Sequence, residues 1–311
     1  MIRSNGFRLL LVGALLLTFV VGLSSVQAQD GAEPRTITDA VGRQVTLDAP
    51  PQRVVGMSAS ITEMLYAIGV TPVGATEGIE YPPAAAELPT FGIGYQPNLE
   101  ALAALEPDLI VANAQLNMEF MDQLEAIAPT IAVMTLTASD IPGNVRLLGQ
   151  ATWQDTSAEY LAQSFEHYLT LADTVGAQME GPSVVFIVGT LSQPNFGKSE
   201  TYLGDMLKRL GATNIADGGE DAGPFPGYTQ LSVEAVLDAD PDMIFTITRG
   251  APGATPIPEE MAADPVWSAL TAVENGQVYE LDNRVFLESP GPRFTEAMLE
   301  VFNIMYGEGM Q

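Results

Sequence analysis

The chain has 311 residues, 47% hydrophobic and 16% charged, enough apolar content for one or two globular domains with a full core. Twelve Lys and Arg stand against 39 Asp and Glu, and the resulting formal charge of −27 repels nucleic acid and anionic lipid. The absence of cysteine excludes disulfides and a thioether-linked lipid, and with one histidine neither a zinc site nor a Ser–His triad can be assembled.

Arg3 and Arg8 precede the apolar run 9–21, and Val26-Gln27-Ala28 offers small residues where a signal peptidase cuts. Residues 1–28 therefore read as a cleaved secretory signal whose apolar run is short for spanning a bilayer. Its removal takes two Arg and no acid, which moves the formal charge to about −29. The expected mature chain is extracytoplasmic, with no cysteine for a lipid anchor.

Residues 36–46 form two β-prone runs around a turn, an entry hairpin. Val54-Val55-Gly56 reads as a buried strand, and Ser58-Ala59-Ser60 opens a helix over 61–68 that Gly69 ends. Residues 98–111 read as a short helix, a Pro107-Asp108 turn and a buried strand. A helix over 118–127, a strand over 131–134 and a helix over 141–150 complete the first half.

Residues 156–179 are the pivot. Thr156 and Glu159 have the spacing of a capping box, and Gly181-Pro182 cannot continue a helix. Leu161, Phe165, Tyr168, Ala172, Val175 and Met179 recur at steps of four and three, giving one apolar face. About two dozen residues at ~1.5 Å each make a rod of roughly 35 Å.

After the rod the order repeats. With Gly69 set on Gly211, Ile61 falls on Leu203, Met64 on Met206, Leu65 on Leu207 and Ile68 on Leu210. Residues 98–111 lie over 232–245, with Pro107-Asp108 on Pro241-Asp242, and the third units also correspond. Three matched units in one order indicate a duplication. The expected fold is α/β, with two similar lobes of parallel sheet, one long interlobe helix and a ligand cleft between the lobes. The divisions are a signal peptide over 1–28, an N-terminal lobe over 29–153, the interlobe helix over 154–181 and a C-terminal lobe over 182–311. A single rigid strut predicts closure of only a few degrees, with Gly176 the first hinge to consider if the motion is wider.

No catalytic apparatus is visible. Asn195-Phe196-Gly197-Lys198-Ser199 ends like a phosphate-binding loop, but Ser192 stands where its first glycine belongs. Gly56-Met57-Ser58-Ala59-Ser60 begins like a nucleophile elbow and lacks the closing glycine. His167 sits within the rod, and no calcium-loop spacing occurs. Binding remains. Tyr95 and Tyr228 precede Glu100 and Glu234 by five and six residues, so each lobe places an aromatic on a corresponding loop. Phe196, Phe225, Phe286 and Trp267 lie on or near other loops of the repeat, where they either face a ligand or plug local core. Arg249 and Arg284 are the cationic candidates at the cleft, with surface ion pairing as the rival role. Arg293, behind Pro292, reads as structural.

Taken together, the chain resembles the periplasmic solute-binding proteins for iron-siderophores, haem and cobalamin, the partners of ABC importers. The resemblance runs from Thr36 to Tyr306. It is carried by Arg53-Val54-Val55, Ser60 to Leu65, Gly69-Val70, Tyr81-Pro82-Pro83, Asn98-Leu99-Glu100, Pro107 to Ile110, the rod, Pro241 to Ile244, Asn275 to Tyr279 and Pro290 to Arg293. It implies two α/β lobes bridged by one long helix and no enzymatic activity. Glu100 and Glu234 match the glutamates that dock such proteins on arginines of a permease dimer. Tyr95 and Tyr228 stand where cobalamin binders carry aromatics, and siderophore binders also place aromatics and arginines there. The implied ligand is a metal chelate, first a ferric siderophore, with cobalamin or haem as the alternative, bound by a monomer with no resident cofactor or metal. A sensor ectodomain or a periplasmic hydrolase is the more distant reading.

Overall fold

The computed structural model describes residues 33–222, 226–250, 253–288 and 290–307. The export segment read over 1–28, and Phe225, lie outside the described residues.

The expected entry hairpin pairs β1 (Arg35–Thr38) with β2 (Gln44–Leu47). In the N-terminal lobe β3 (Val54–Gly56) begins the sheet, and a small hairpin of β4 (Gly92–Ile93) and β5 (Gln96–Pro97) stands apart. The sheet continues with β6 (Leu109–Asn113) and β7 (Thr130–Val133), all parallel in the order β3-β6-β7. Asp39 fastens the entry hairpin to it, accepting from the N–H groups of Val41, Arg43 and, on β7, Ala132. Strand side chains alternate between two buried layers. Leu109, Val111, Ile131 and Val133 face the interlobe core, and Ile110, Ala112 and Ala132 face a second core on the other side. Burial on both faces is why these strands read as continuous apolar runs.

The C-terminal lobe is built from β8 (Ser183–Thr190), β9 (Gln193–Gly197), β10 (Thr213–Asn214), β11 (Tyr228–Thr229), β12 (Met243–Thr248) and β13 (Val278–Glu280). The parallel part runs β10-β8-β12-β13, as expected. To it is added an antiparallel arm, β9 on β8 and β11 on β9, which the sequence reading did not foresee. The residues resembling the end of a phosphate-binding loop are this arm.

The duplication extends to individual backbone locks. Val54 pairs with Leu109 as Val184 pairs with Met243. Asn98 and Ser232 cap equivalent helices through the N–H groups of Ala101 and Ala235. Glu106 and Asp240, each before the proline of its turn, both have left-handed backbone, with φ of 48° and 39°. The following aspartates latch each turn to the segment entering the first strand. Asp108 accepts from the N–H groups of Gln52 and Arg53 at 2.7 and 2.8 Å, and Asp242 from the N–H and hydroxyl of Ser183 at 2.7 and 2.6 Å.

The strut is the helix Asp155–Gly176. Its expected capping box is absent because Thr156 already lies inside the helix. Glu159 instead accepts from Arg146 of the preceding helix Ile141–Thr152 at 2.8 Å, and the same guanidinium reaches Glu166 at 2.5 Å. This shared cation holds both glutamates below their ordinary carboxylate range. Ala158, Ala162, Phe165, Leu169, Ala172 and Val175 are buried, while Leu161, Tyr168 and Met179 are half-buried at the edges of that face. His167 is exposed.

Both ends of the strut are fitted against glycine. A Cβ added at Gly149 would stand 2.2 Å from Cβ of Ala158, and one added at Gly176 would stand 2.0 Å from the Arg209 carbonyl oxygen. Gly176 is therefore a close-packing residue. One apolar core continues from the N-terminal sheet through the strut to Phe186 and Phe245 of the C-terminal sheet. The last helix, Phe294–Tyr306, joins it through Phe294, whose ring meets Phe165 and Tyr168 edge-on at 5.0 and 6.0 Å. Arg293 ties the lobes directly, donating to both carboxylate oxygens of buried Glu63 at 2.8 and 3.1 Å.

Candidate functional site

Ser58, Asn113 and Thr135 lie at or just past the ends of β3, β6 and β7, and Gly189 and Arg249 hold the same places on β8 and β12. Together they line a cleft of about 600 Å³ between the lobes. Its position follows from the topology, because parallel strands that cross over through helices leave their C-terminal ends free. The helices Ala59–Ala67 and Tyr202–Arg209 begin on it, capped by Ser58 and Thr201 through the N–H groups of Ile61 and Gly204.

Tyr95 projects from the N-terminal wall. It occupies the two-residue loop between β4 and β5 and is 60% exposed. The loop is tied down by Asn117, which is fully buried. Its amide donates to the Gly94 carbonyl at 2.6 Å and accepts from the Asn113 N–H at 2.8 Å. Tyr228 enters from the opposite wall, at the start of β11, opposite Gly197. It is half-buried, with its ring edge-on to Phe186 at 6.3 Å. Gly197 is required there, since a Cβ would lie 1.8 Å from the Phe186 ring. Burial pushes the Tyr228 phenol up to about 12, so it stays protonated and neutral.

Phe286 is 1% exposed and forms part of the cleft floor while packing into the interlobe core. Arg249 lines the cleft half-exposed, with its guanidinium 3.9 Å from Glu288. Arg284 is not among the lining residues; it pairs with Glu80 of the other lobe. Phe196 is a correction. Opposite Ile187 in the β8–β9 ladder, it points to the outer face of the sheet and is fully buried there with Val185 and Ile244. Trp267 packs in the same outer core. Glu100 and Glu234 lie in the first turns of the helices Leu99–Ala104 and Val233–Ala239, both exposed and outside the cleft lining.

Sequence reasoning missed Glu77, Glu200 and Glu288, which line the cleft, and Asn117, which holds Tyr95 in place. The acids are scattered in a chain rich in acids and carry no linear signal. Asn117, four residues after Asn113, offered one, since an asparagine in an apolar stretch needs partners for its amide.

A protein-family model described as periplasmic binding protein matches residues 54–285. The Fe(3+)-citrate-binding protein YfmC of Bacillus subtilis is 27% identical over 94% of this chain and 96% of its own. A cobalamin-binding protein of Halobacterium salinarum is 25% identical over 96% of this chain and 84% of its own. A solved ABC transporter substrate-binding protein from Listeria monocytogenes superposes with a TM-score of 0.72 at 21% identity, covering 83% of this chain and 99% of that one. The matched residues take in both sheets, the strut between them and most of the cleft wall, and the chain belongs to the periplasmic binding protein family.

Proposed function

We propose that this protein is the extracytoplasmic solute-binding component of an ABC importer, capturing a metal chelate in the interlobe cleft and delivering it to a permease. The observation that carries the reading is the cleft itself. It is about 600 Å³, walled by both lobes, with Tyr95 and Tyr228 entering from opposite sides. That volume suits a small organic ligand, and aromatic faces suit the apolar flanks of a chelate. The curated relatives are named for ferric citrate and for cobalamin, which supports a ferric siderophore as the first reading and a corrinoid as the second. Haem is a further alternative that the family resemblance implies. The ligand brings its own metal, and the protein supplies shape and polar contacts.

Glu100 and Glu234 are the proposed docking points on the permease. Each is exposed in the first turn of a duplicated helix, and among the described residues neither pairs with a cation. Export through a cleaved leader, with no cysteine-linked lipid, completes the reading. Among the described residues no helix is long and apolar enough to cross a membrane.

The test is equilibrium titration of the mature protein with ferric siderophores, cobalamin and haem, read by tyrosine fluorescence and repeated with Tyr228→Phe and Tyr95→Ala. Saturable binding at micromolar ligand, weakened by Tyr95→Ala, is the expected result. Absence of binding by every chelate would overturn the reading.

A further inference from the structure

We propose that the cleft selects chelates of zero or positive net charge and rejects polyanionic ones, with Glu77, Glu200 and Glu288 imposing the choice. The inference rests on the chelate-binding reading and narrows it. Among the described residues, the carboxylate and cationic side chains lining the cleft are these three glutamates and Arg249. Three carboxylates against one guanidinium leave an excess of two negative charges.

The surrounding layer does not change that balance. Lys198 is met by Asp221 at 2.5 Å and by Glu200 at 3.6 Å, and it also donates to the Gly219 carbonyl. Arg284 is met by Glu80. The two added cations thus come with two added acids. Residues 223–225, 251–252 and 289 are Gly, Pro, Phe, Ala, Pro and Ser, none of them ionisable.

Arg249, the one cation among the described lining residues, is answered before any ligand arrives. Glu288 lies 3.9 Å from its guanidinium, and the Asn283 amide holds that carboxylate at 2.6 Å. The tyrosine facing Arg249's side of the cleft is a neutral phenol, so the aromatic walls add no charge to offset. A ligand with several negative charges would meet more carboxylates than cations and would itself displace water from them on entering, so that like-charge contacts cost more than in bulk water. A neutral or cationic chelate meets hydrogen-bonding groups such as Asn113, Asn195 and Thr135, and carboxylates that attract it. The charge of −27 over the whole chain acts in the same direction at long range, but salt screens it.

The experiment uses three ferric chelates: a neutral cyclic trihydroxamate, a linear trihydroxamate bearing a free ammonium, and a trianionic tris-catecholate. Each is titrated into the wild-type protein at low and high salt, into the cleft variant Glu77→Gln/Glu200→Gln/Glu288→Gln, and into a control, Glu119→Gln/Glu259→Gln/Glu274→Gln. The control removes equal charge from exposed positions outside the cleft. The account expects the trihydroxamates to bind at least about tenfold more tightly than the tris-catecholate, about 1.4 kcal/mol. The cleft variant should narrow that gap by about tenfold and the control by no more than about twofold. The narrowing of the gap is read from the change between proteins within each chelate, so differences in ligand shape cancel from it. In the wild type, salt should strengthen the tris-catecholate and leave the neutral chelate unchanged. Preference for the tris-catecholate, or a gap that moves equally in cleft and control variants, overturns the inference and leaves the chelate reading standing. Failure of all three chelates, cobalamin and haem to bind removes both.

Discussion

The two lobes are alike where they are held and unlike where they line the cleft. Their strand registers, left-handed turns and aspartate latches correspond residue for residue, Asp108 with Asp242 and Glu106 with Asp240. At the cleft the correspondence ends. The N-terminal wall offers an exposed tyrosine on a two-residue loop tied by Asn117, whereas the C-terminal wall offers a half-buried tyrosine on an antiparallel arm, with Arg249 and Glu288 beside it. The difference teaches that the repeat is kept by backbone hydrogen-bonding needs, which any copy must meet, while cleft-facing groups are free to diverge.

The largest effect should come from the joints between lobes and strut. Gly176→Ala places a methyl against backbone of the helix Tyr202–Arg209 and should cost about 2–3 kcal/mol, seen as a lower denaturant midpoint. Gly149→Ala meets a side-chain methyl at the other end and should cost about 1–2 kcal/mol. Equal costs would remove the distinction between the two joints.

The tyrosines should separate next. Tyr228→Ala removes a half-buried ring packed on Phe186 and should cost roughly 2 kcal/mol of stability as well as ligand affinity. Tyr95→Ala should leave stability within about 0.5 kcal/mol and lower affinity alone. Thermal melts beside ligand titrations read both. A destabilised Tyr95→Ala would place that ring in the fold instead of the cleft.

Asp108→Ala and Asp242→Ala each remove two charge-assisted bonds at a turn open to solvent, and should each cost about 1.5–2 kcal/mol. Here the lobes should behave the same, so unequal losses in denaturation would break the equivalence. The smallest effect is motion. With one core running through the strut and Arg293 bound to Glu63 across the lobes, ligand closure should be a few degrees, seen as a near-constant radius of gyration in scattering.

Much of this frame was legible in the sequence. The Pro-Asp turns, Gly69 and Gly211 closing equivalent helices, and the apolar periodicity of the strut are local rules that tertiary contacts left in force. Where the reading failed, a long-range partner had won. Thr156 and Glu159 have the spacing of a capping box, but the helix already begins at Asp155 and Glu159 pairs with Arg146 of the preceding helix. Phe196 looked like a loop aromatic because two short antiparallel strands give little periodicity to read. The cleft acids were invisible for a different reason, since they come from three separate segments and share no spacing.

The proposed function has the lobes divide the work, with binding in the cleft where they differ and docking through equivalent exposed glutamates where they match. The most direct measurement is chelate affinity and cellular uptake for Glu100→Ala, Glu234→Ala and the double variant. The account predicts affinities within about twofold of wild type in all three, with uptake lowered by about tenfold or more in each single variant, roughly 1–3 kcal/mol. The double variant should add little, because losing one anchor already spoils two-point engagement. Normal uptake by the double variant, or loss of ligand binding in either single one, would contradict it.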